Sequence, residues 1–371
     1  MRIAVPREVK DNEFRVAITP AGVHELVSRG HEVVIEQDAG LGSAIPDEDF
    51  KAAGAQILGD AASVWASAEL LLKVKEPIAQ EYGFLRRDLT LFTYLHLAAS
   101  APCTEALLTG GTTSIAYETV RTPDGRLPLL APMSEVAGRL APQVGAYHLM
   151  RSAGGRGVLM GGVPGAPGAH VVVIGAGVSG QNATAIAVGM GARVTVLDLD
   201  VDKLRQMDAL YQGRIQTVYS TAYALEQAVL DADLVIGAVL VPGARAPRLV
   251  SNELVARMKK GAVLVDIAID QGGCFADSHP TTHADPTYPV HETVFYCVAN
   301  MPGAVPHTST HALTNATLPY VLQLADKGWR DALRANPSLA EGLSTHDGKL
   351  AAAAVAQAHG LAHVAVEELI G

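Results

Sequence analysis

The sequence predicts an α/β protein of two domains, one a doubly wound parallel sheet and the other a discontinuous α/β domain. Three observations predict it. The chain has 371 residues, and ~100–200 residues per domain makes two the expected number. Short β-branched apolar runs alternate with helix-like stretches, the rhythm of parallel strands joined by crossover helices. The composition, 49% hydrophobic and 18% charged with 36 Gly and 20 Pro, suits a folded chain with many tight strand-to-helix turns.

The elements follow in order. Strands are expected at residues 2–5, 32–35, 70–74, 89–92 and 114–116, with a helix over 20–29. Pro128-Leu129-Leu130-Ala131-Pro132 then breaks the pattern, and a domain boundary is placed there, so that residues 1–130 open the first domain. A helix over 134–150 leads to a Gly/Pro-rich loop over 154–167. The second domain, 131–304, has strands at 171–175, 193–198, 234–237, 263–266 and 294–298. Its helices begin near Gly177, Asp202, Glu226 and Asn252. Beyond Asn300-Met301-Pro302 the pattern is helical, over 314–327 and 329–336, with an alanine-rich tail from Lys349 in which the run at 351–354 reads as helix. These stretches have no strand partners of their own, so 305–371 is expected to pack back on the first domain. No internal repeat is evident.

Bulk properties narrow the function. A formal net charge of −10 leaves no basic field for phosphates, which speaks against nucleic acid and for small-molecule partners. Cys103, Cys274 and Cys297 are odd in number and far apart, without a Cys-x-x-Cys pair; they read as reduced thiols of a cytoplasmic protein. The N-terminus carries no secretory signal pattern. Residues 157–192 contain no Asp, Glu, Lys or Arg, but Gly161, Gly162, Pro164, Pro167, Gly175, Gly177 and Gly180 interrupt them. A loop, a buried strand and a helix start explain this stretch better than a membrane span.

The sharpest motif is an apolar strand running into Gly175-Ala176-Gly177-Val178-Ser179-Gly180. Gly175 suits the tight turn, Gly177 lets backbone approach a pyrophosphate, and Gly180 allows close packing of helix on strand. The N–H groups and dipole at the helix start favour phosphate. The next strand ends in Asp198, about the ~20-residue interval at which a ribose-binding carboxylate is expected. Such an acid also repels a 2′-phosphate, favouring NAD over NADP, while Lys203 and Arg205 nearby act in the opposite sense. The combination predicts a Rossmann-type NAD site. Segments 236–243 and 266–273 fall at later strand ends, where open α/β sheets bind ligands. Asp270 is therefore a candidate on the nicotinamide side, or else a loop carboxylate capping a turn before Gly272.

Three residues of the first domain are candidates for chemistry. Arg15, in a loop before Thr19-Pro20, suits a substrate carboxylate or, alternatively, a salt bridge to Glu8 or Glu13. Lys73 and Lys75 close a strand on the same face if it stays extended, so one of them enters the site unless both are solvated. His96, flanked by Leu95 and Leu97, suits proton exchange near neutral pH or, equally, a backbone hydrogen bond in the core. No metal is expected. His279, His283 and His291 lie in a loop-like segment without matched cysteines, and Gln323 with Lys327 makes a poor divalent site.

Further segments carry a family resemblance: Pro6-Arg7-Glu8 with Glu13 to Pro20, Lys73-Val74-Lys75-Glu76-Pro77, Leu95-His96-Leu97, Met133 to Gly138, Asp266 to Gly273 and Asn300-Met301-Pro302. Together with 171–198, nearly the whole chain resembles the alanine dehydrogenases, which share two domains with the nucleotide-binding subunit of proton-translocating nicotinamide nucleotide transhydrogenase. The resemblance implies an NAD-dependent interconversion of L-alanine with pyruvate and ammonia. It implies Arg15 and Lys75 as the substrate-binding pair and His96 and Asp270 as the catalytic pair. Ser134, Val178, Ser179, Asp198, Lys203, Ser220, Val239, Leu240, Ile267, Ala268, Ile269, Asp270, Val298, Ala299, Asn300 and Met301 match cofactor-contacting positions. A homohexamer is also implied. Two rival readings remain open at this point. A transhydrogenase subunit would pass hydride to a partner, and a non-catalytic NAD sensor would bind cofactor without alanine-dependent reduction.

Overall fold

A computed structural model describes residues 1–239 and 246–371. The chain divides into two compact units, Met1–Met133 with Val305–Gly371, and Ser134–Ala304.

The first unit alternates β1 (Arg2–Val5), α1 (Pro20–Ser28), β2 (Glu32–Glu36), α2 (Asp47–Ala52), β3 (Gln56–Leu58), α3 (Ala61–Ser67), β4 (Leu70–Leu72), β5 (Thr90–Thr93), α4 (Ala101–Gly110) and β6 (Thr113–Ala116). Its parallel strands run β3-β2-β1-β4-β5-β6. The order reverses between β1 and β4, and a switch point of this kind opens a crevice outside the carboxyl ends of its strands. Strand β4 stops at Leu72 rather than reaching residue 74, so strict alternation does not govern Lys73 to Lys75.

Helix α5 (Ala131–His148) carries Pro132 in its first turn, where a missing N–H costs little. The second unit continues with β7 (His170–Ile174), α6 (Val178–Gly189), β8 (Arg193–Asp198), α7 (Val201–Tyr211), β9 (Gln216–Tyr219), α8 (Ala222–Asp231), β10 (Leu234–Gly237), α9 (Asn252–Val255), β11 (Val263–Asp266), β12 (Thr287–Val290) and β13 (Thr293–Tyr296). Its strand order is β9-β8-β7-β10-β11-β13-β12, parallel except for β12. Side chains alternate across β7. Val171 and Val173 face Ala183 and Ala187 of α6 in one apolar cluster, and Val172 and Ile174 face Leu225 and Val229 of α8 in the other. Both faces are therefore covered, which is why the strand reads as a continuous apolar run.

The C-terminal segment departs from the helical expectation. After α10 (Pro306–Lys327), α11 (Trp329–Ala335) and α12 (Pro337–Ala340) come two strands, β14 (Leu343–His346) and β15 (Lys349–Leu350), and then α13 (Ala353–His359) and α14 (Val366–Ile370). Strand β14 pairs antiparallel with both β6 and β15, extending the first unit's sheet. Asp347 and Gly348 both adopt positive φ, 50° and 77°, the two-residue hairpin turn whose twist suits paired strands. No helix among the described residues is long and apolar enough to cross a membrane.

Candidate active site

The first unit gathers charge beyond the carboxyl ends of β1, β4, β5 and β6. Arg15 is 2% exposed. Its Nε and Nη2 donate to the two carboxylate oxygens of Glu13, each at 2.6 Å, and its Nη1 lies 2.9 Å from the Met133 sulfur. The salt-bridge alternative is thus present, to Glu13, and it fixes the plane of the guanidinium. Burial acts to raise the Glu13 carboxyl, but the charge and hydrogen bonds of Arg15 and the charge of Lys75 outweigh it and hold Glu13 at about 2.

Lys73 and Lys75 differ in their surroundings. Both are buried rather than solvated. Lys73 donates to Glu8 at 3.1 Å and to Glu81 at 2.8 Å. The other oxygens of those acids accept the Val74 and Ile78 amides at 2.6 and 3.0 Å. This ion-pair cluster ties the loop after β1 to the loop after β4. Lys75 stands two residues on, with its carbonyl accepting from the Thr93 hydroxyl at 3.0 Å.

His96 follows β5 in a left-handed conformation, φ 47°, uncommon for a residue with a β-carbon. Its side chain is 39% exposed, so it is not the buried core histidine its apolar neighbours suggested. It stacks on Tyr94, with centroids 5.8 Å apart and planes 9° apart. One Glu118 oxygen accepts the His96 amide at 2.6 Å and both approach the Leu95 amide at 3.2 Å. The same carboxylate stands 4.0 Å from the imidazole Nδ1. Glu118 was not singled out in the sequence, where it lies 22 positions from His96.

In the second unit, the expected cofactor residues that the structure describes cluster mainly at the carboxyl edge of the sheet. Gly175 has φ +104°, a conformation that favours glycine. A β-carbon at Gly180 would fall 1.7 Å from the Gly175 carbonyl oxygen, whereas one at Gly177 would meet nothing within 4 Å. The three glycines therefore do separate jobs: turn, open approach, and packing. The 12-residue helix α6 starts immediately after Gly177, placing orphan N–H groups beside that open space. Asp198, at the end of β8, accepts the Ala176 amide at 2.6 Å and the Asp200 amide at 2.8 Å. A carboxylate can accept about four such bonds, so it both fixes the glycine turn and retains acceptor capacity for ribose hydroxyls. These features fit a dinucleotide.

Ser220 follows β9 and donates its amide to the Asp198 carbonyl at 3.0 Å. Lys203 lies 3.8 Å from Asp200. Ser134 stands in the first turns of α5, a helix that packs tightly on α6, since a β-carbon at Gly138 would come 2.3 Å from the Ser179 carbonyl oxygen. Val178 is exposed, and Val239 and Ile267 are half-buried; Leu240 lies outside the described residues. Ala268 and Ile269 are buried, and Asp270 is exposed in a short turn closed by Gly272 at φ +93°. The buried Asp266 organises that loop, accepting from the Ala268, Cys274 and Phe275 amides and the Ser278 hydroxyl. Burial pushes its carboxyl above the ordinary range despite those donors. Val298 and Met301 are buried, Ala299 and Asn300 half-buried, and Asn300 takes φ 64°.

Comparison with known proteins decides the family. The model of the alanine dehydrogenase/PNT N-terminal domain matches residues 4–137, and that of the alanine dehydrogenase/PNT C-terminal domain matches 141–353. The chain belongs to the alanine dehydrogenase/PNT family. It is 72% identical over 356 residues to the alanine dehydrogenase of Mycobacterium tuberculosis, covering 96% of each chain. A solved L-alanine dehydrogenase superposes with a TM-score of 0.94 at 50% identity, over 97% of this chain and 99% of that one. A transhydrogenase from Sinorhizobium meliloti superposes with a TM-score of 0.80 at 26% identity, over 95% and 100%. The two-domain α/β architecture is that of the family.

Proposed function

We propose that the chain catalyses the NAD-dependent oxidative deamination of L-alanine to pyruvate and ammonia, and the reverse reductive amination. The observation that carries this reading is the 72% identity, across 96% of the chain, to a protein named alanine dehydrogenase. The unit 134–304 carries NAD; the unit formed by 1–133 and 305–371 carries the amino acid.

Arg15 and Lys75 take the substrate carboxylate, the guanidinium held in plane by Glu13. Orienting a bound substrate in this way can remove ~7–11 kcal/mol of barrier. A bound NAD would supply the hydride acceptor for Cα, the oxidised substrate being an imine. His96 exchanges protons as water adds to the imine and ammonia departs. Asp270 stabilises positive charge on the imidazole or the amine. The Asp198 carboxylate selects NAD over its 2′-phosphorylated counterpart. The cofactor also contacts Ser134, Gly175, Gly177 to Gly180, Lys203, Ser220, Val239, Leu240, Ile267 to Asp270 and Val298 to Met301. The protein works as a cytoplasmic homo-oligomer, a hexamer by family resemblance; a sedimentation mass of six chains supports that assembly, and a monomer refutes it.

The reductive direction tests the chemistry. Purified protein given NADH and pyruvate should oxidise NADH only when ammonium is added. Oxidation with pyruvate alone would instead indicate reduction to the hydroxy acid and would refute the amino-acid reading.

A further inference from the structure

The C-terminal segment has no part in the chemistry above, yet it touches the turn that presents His96. Left-handed conformation costs a residue with a β-carbon about 1–2 kcal/mol and persists where surrounding contacts over-determine it. On one side of His96 stands Glu118, on the backbone amides. On the other side is the turn Leu97–Ala99. The Leu97 carbonyl accepts from its own neighbourhood, the Ser100 amide at 3.0 Å and the Thr104 hydroxyl at 3.2 Å. Its shortest contact comes from 262 positions away, His359 Nε2 at 2.7 Å.

Two further contacts tie the same segment to the site. Val355 and Ala356 of α13 share an apolar cluster with Leu95 and Leu97. The Gly342 carbonyl accepts the Ala116 amide at 2.7 Å, and β14 pairs with β6, two residues before Glu118. One stretch of chain thus holds both the strand that delivers Glu118 and the turn that follows His96.

We propose that residues 342–359 brace the histidine turn and that His359 is a positioning residue for the reaction, acting through the Leu97 carbonyl. The inference rests on the role given to His96. With a hydrogen on Nε2, His359 donates to that carbonyl; a glutamine amide can do the same, and a leucine cannot.

The test is a double-mutant cycle in the full-length protein, reading kcat with alanine, KM for NAD and Tm. His359→Leu should lower kcat about 10- to 100-fold, the scale of a small misplacement of a catalytic group, with KM for NAD unchanged. His359→Gln should restore most of it. In a His96→Ala background, His359→Leu should change kcat less than about twofold, because the group it positions is gone. Equal losses in both backgrounds, tracking a lower Tm, would make the contact merely structural and overturn the proposal. If His96→Ala loses turnover while His359→Leu keeps it, the brace alone falls. If His96→Ala keeps full turnover, the reading of His96 falls and the brace with it. Should His359→Leu not fold, His359→Glu, which sets an acceptor against the carbonyl, takes its place with the same expectations.

Discussion

Arg15 shows how much of a residue's role its neighbours decide. The sequence offered a substrate carboxylate or a salt bridge, and the structure places its Nε and Nη2 on Glu13. Glu13 has a folded pKa of about 2 against an ordinary 4.5. A depressed carboxyl contributes stability that is complete above its unfolded value and is lost as pH falls through the folded one. The pair should therefore stabilise the first unit above about pH 4.5 and lose that contribution, on the order of 3 kcal/mol, between there and about pH 2. Denaturation across that window should show a shallower acid limb for Glu13→Gln than for the unaltered chain; equal limbs would contradict the assignment. Arg15, His96 and one of the pair Lys73 and Lys75 were legible as candidates because their residue types suit the chemistry, and only the family resemblance chose Lys75. Glu118 and Asp266 were not, because they act on backbone amides that only the fold brings to them.

Among the elements, legibility followed length and burial. Strand β8 was read at its observed bounds and β7 within one residue, both being apolar runs covered on two faces. Strands β3 and β9 are short and partly exposed, so no alternation marks them. The hairpin of β14 and β15 was missed although Asp347-Gly348 is a hairpin signal, since its strands are four and two residues long. Helix α10 begins at Pro306, ahead of its expected start, because Pro suits the first turn while the following Thr, Ser and His lack strong helix preference. The glycine turn was fully legible, and it yields paired expectations. Gly180→Ala drives a methyl into the Gly175 carbonyl and should lower Tm by several degrees, as about 1–3 kcal/mol of overpacking would. Gly177→Ala sets its methyl where no residue beyond the chain neighbours lies within 4 Å and should keep Tm while weakening NAD binding at least tenfold, about 1.4 kcal/mol. Calorimetry and NAD titration separate the two, and equal behaviour would contradict the division of labour.

Across the whole molecule one architecture recurs. Both units lay six parallel strands in the same order, three descending from the first and three ascending beyond it, though no repeat is visible in the sequence. Fold order needs only apolar strands and crossover connections, which dissimilar sequences supply equally well. What distinguishes the units is the chemistry at their strand ends: in one, glycines and Asp198 fit for a dinucleotide; in the other, buried Arg15 and Lys75 with a half-exposed His96. Under the proposed function, NAD occupies the first of those surfaces and alanine the second. The most direct measurement is the absorbance of NADH formed by the purified protein from NAD and L-alanine, with serine, glycine and NADP as controls. Alanine-dependent NADH, accompanied by equal amounts of pyruvate and ammonia, is the predicted result; binding of NAD with no alanine-dependent reduction would contradict it.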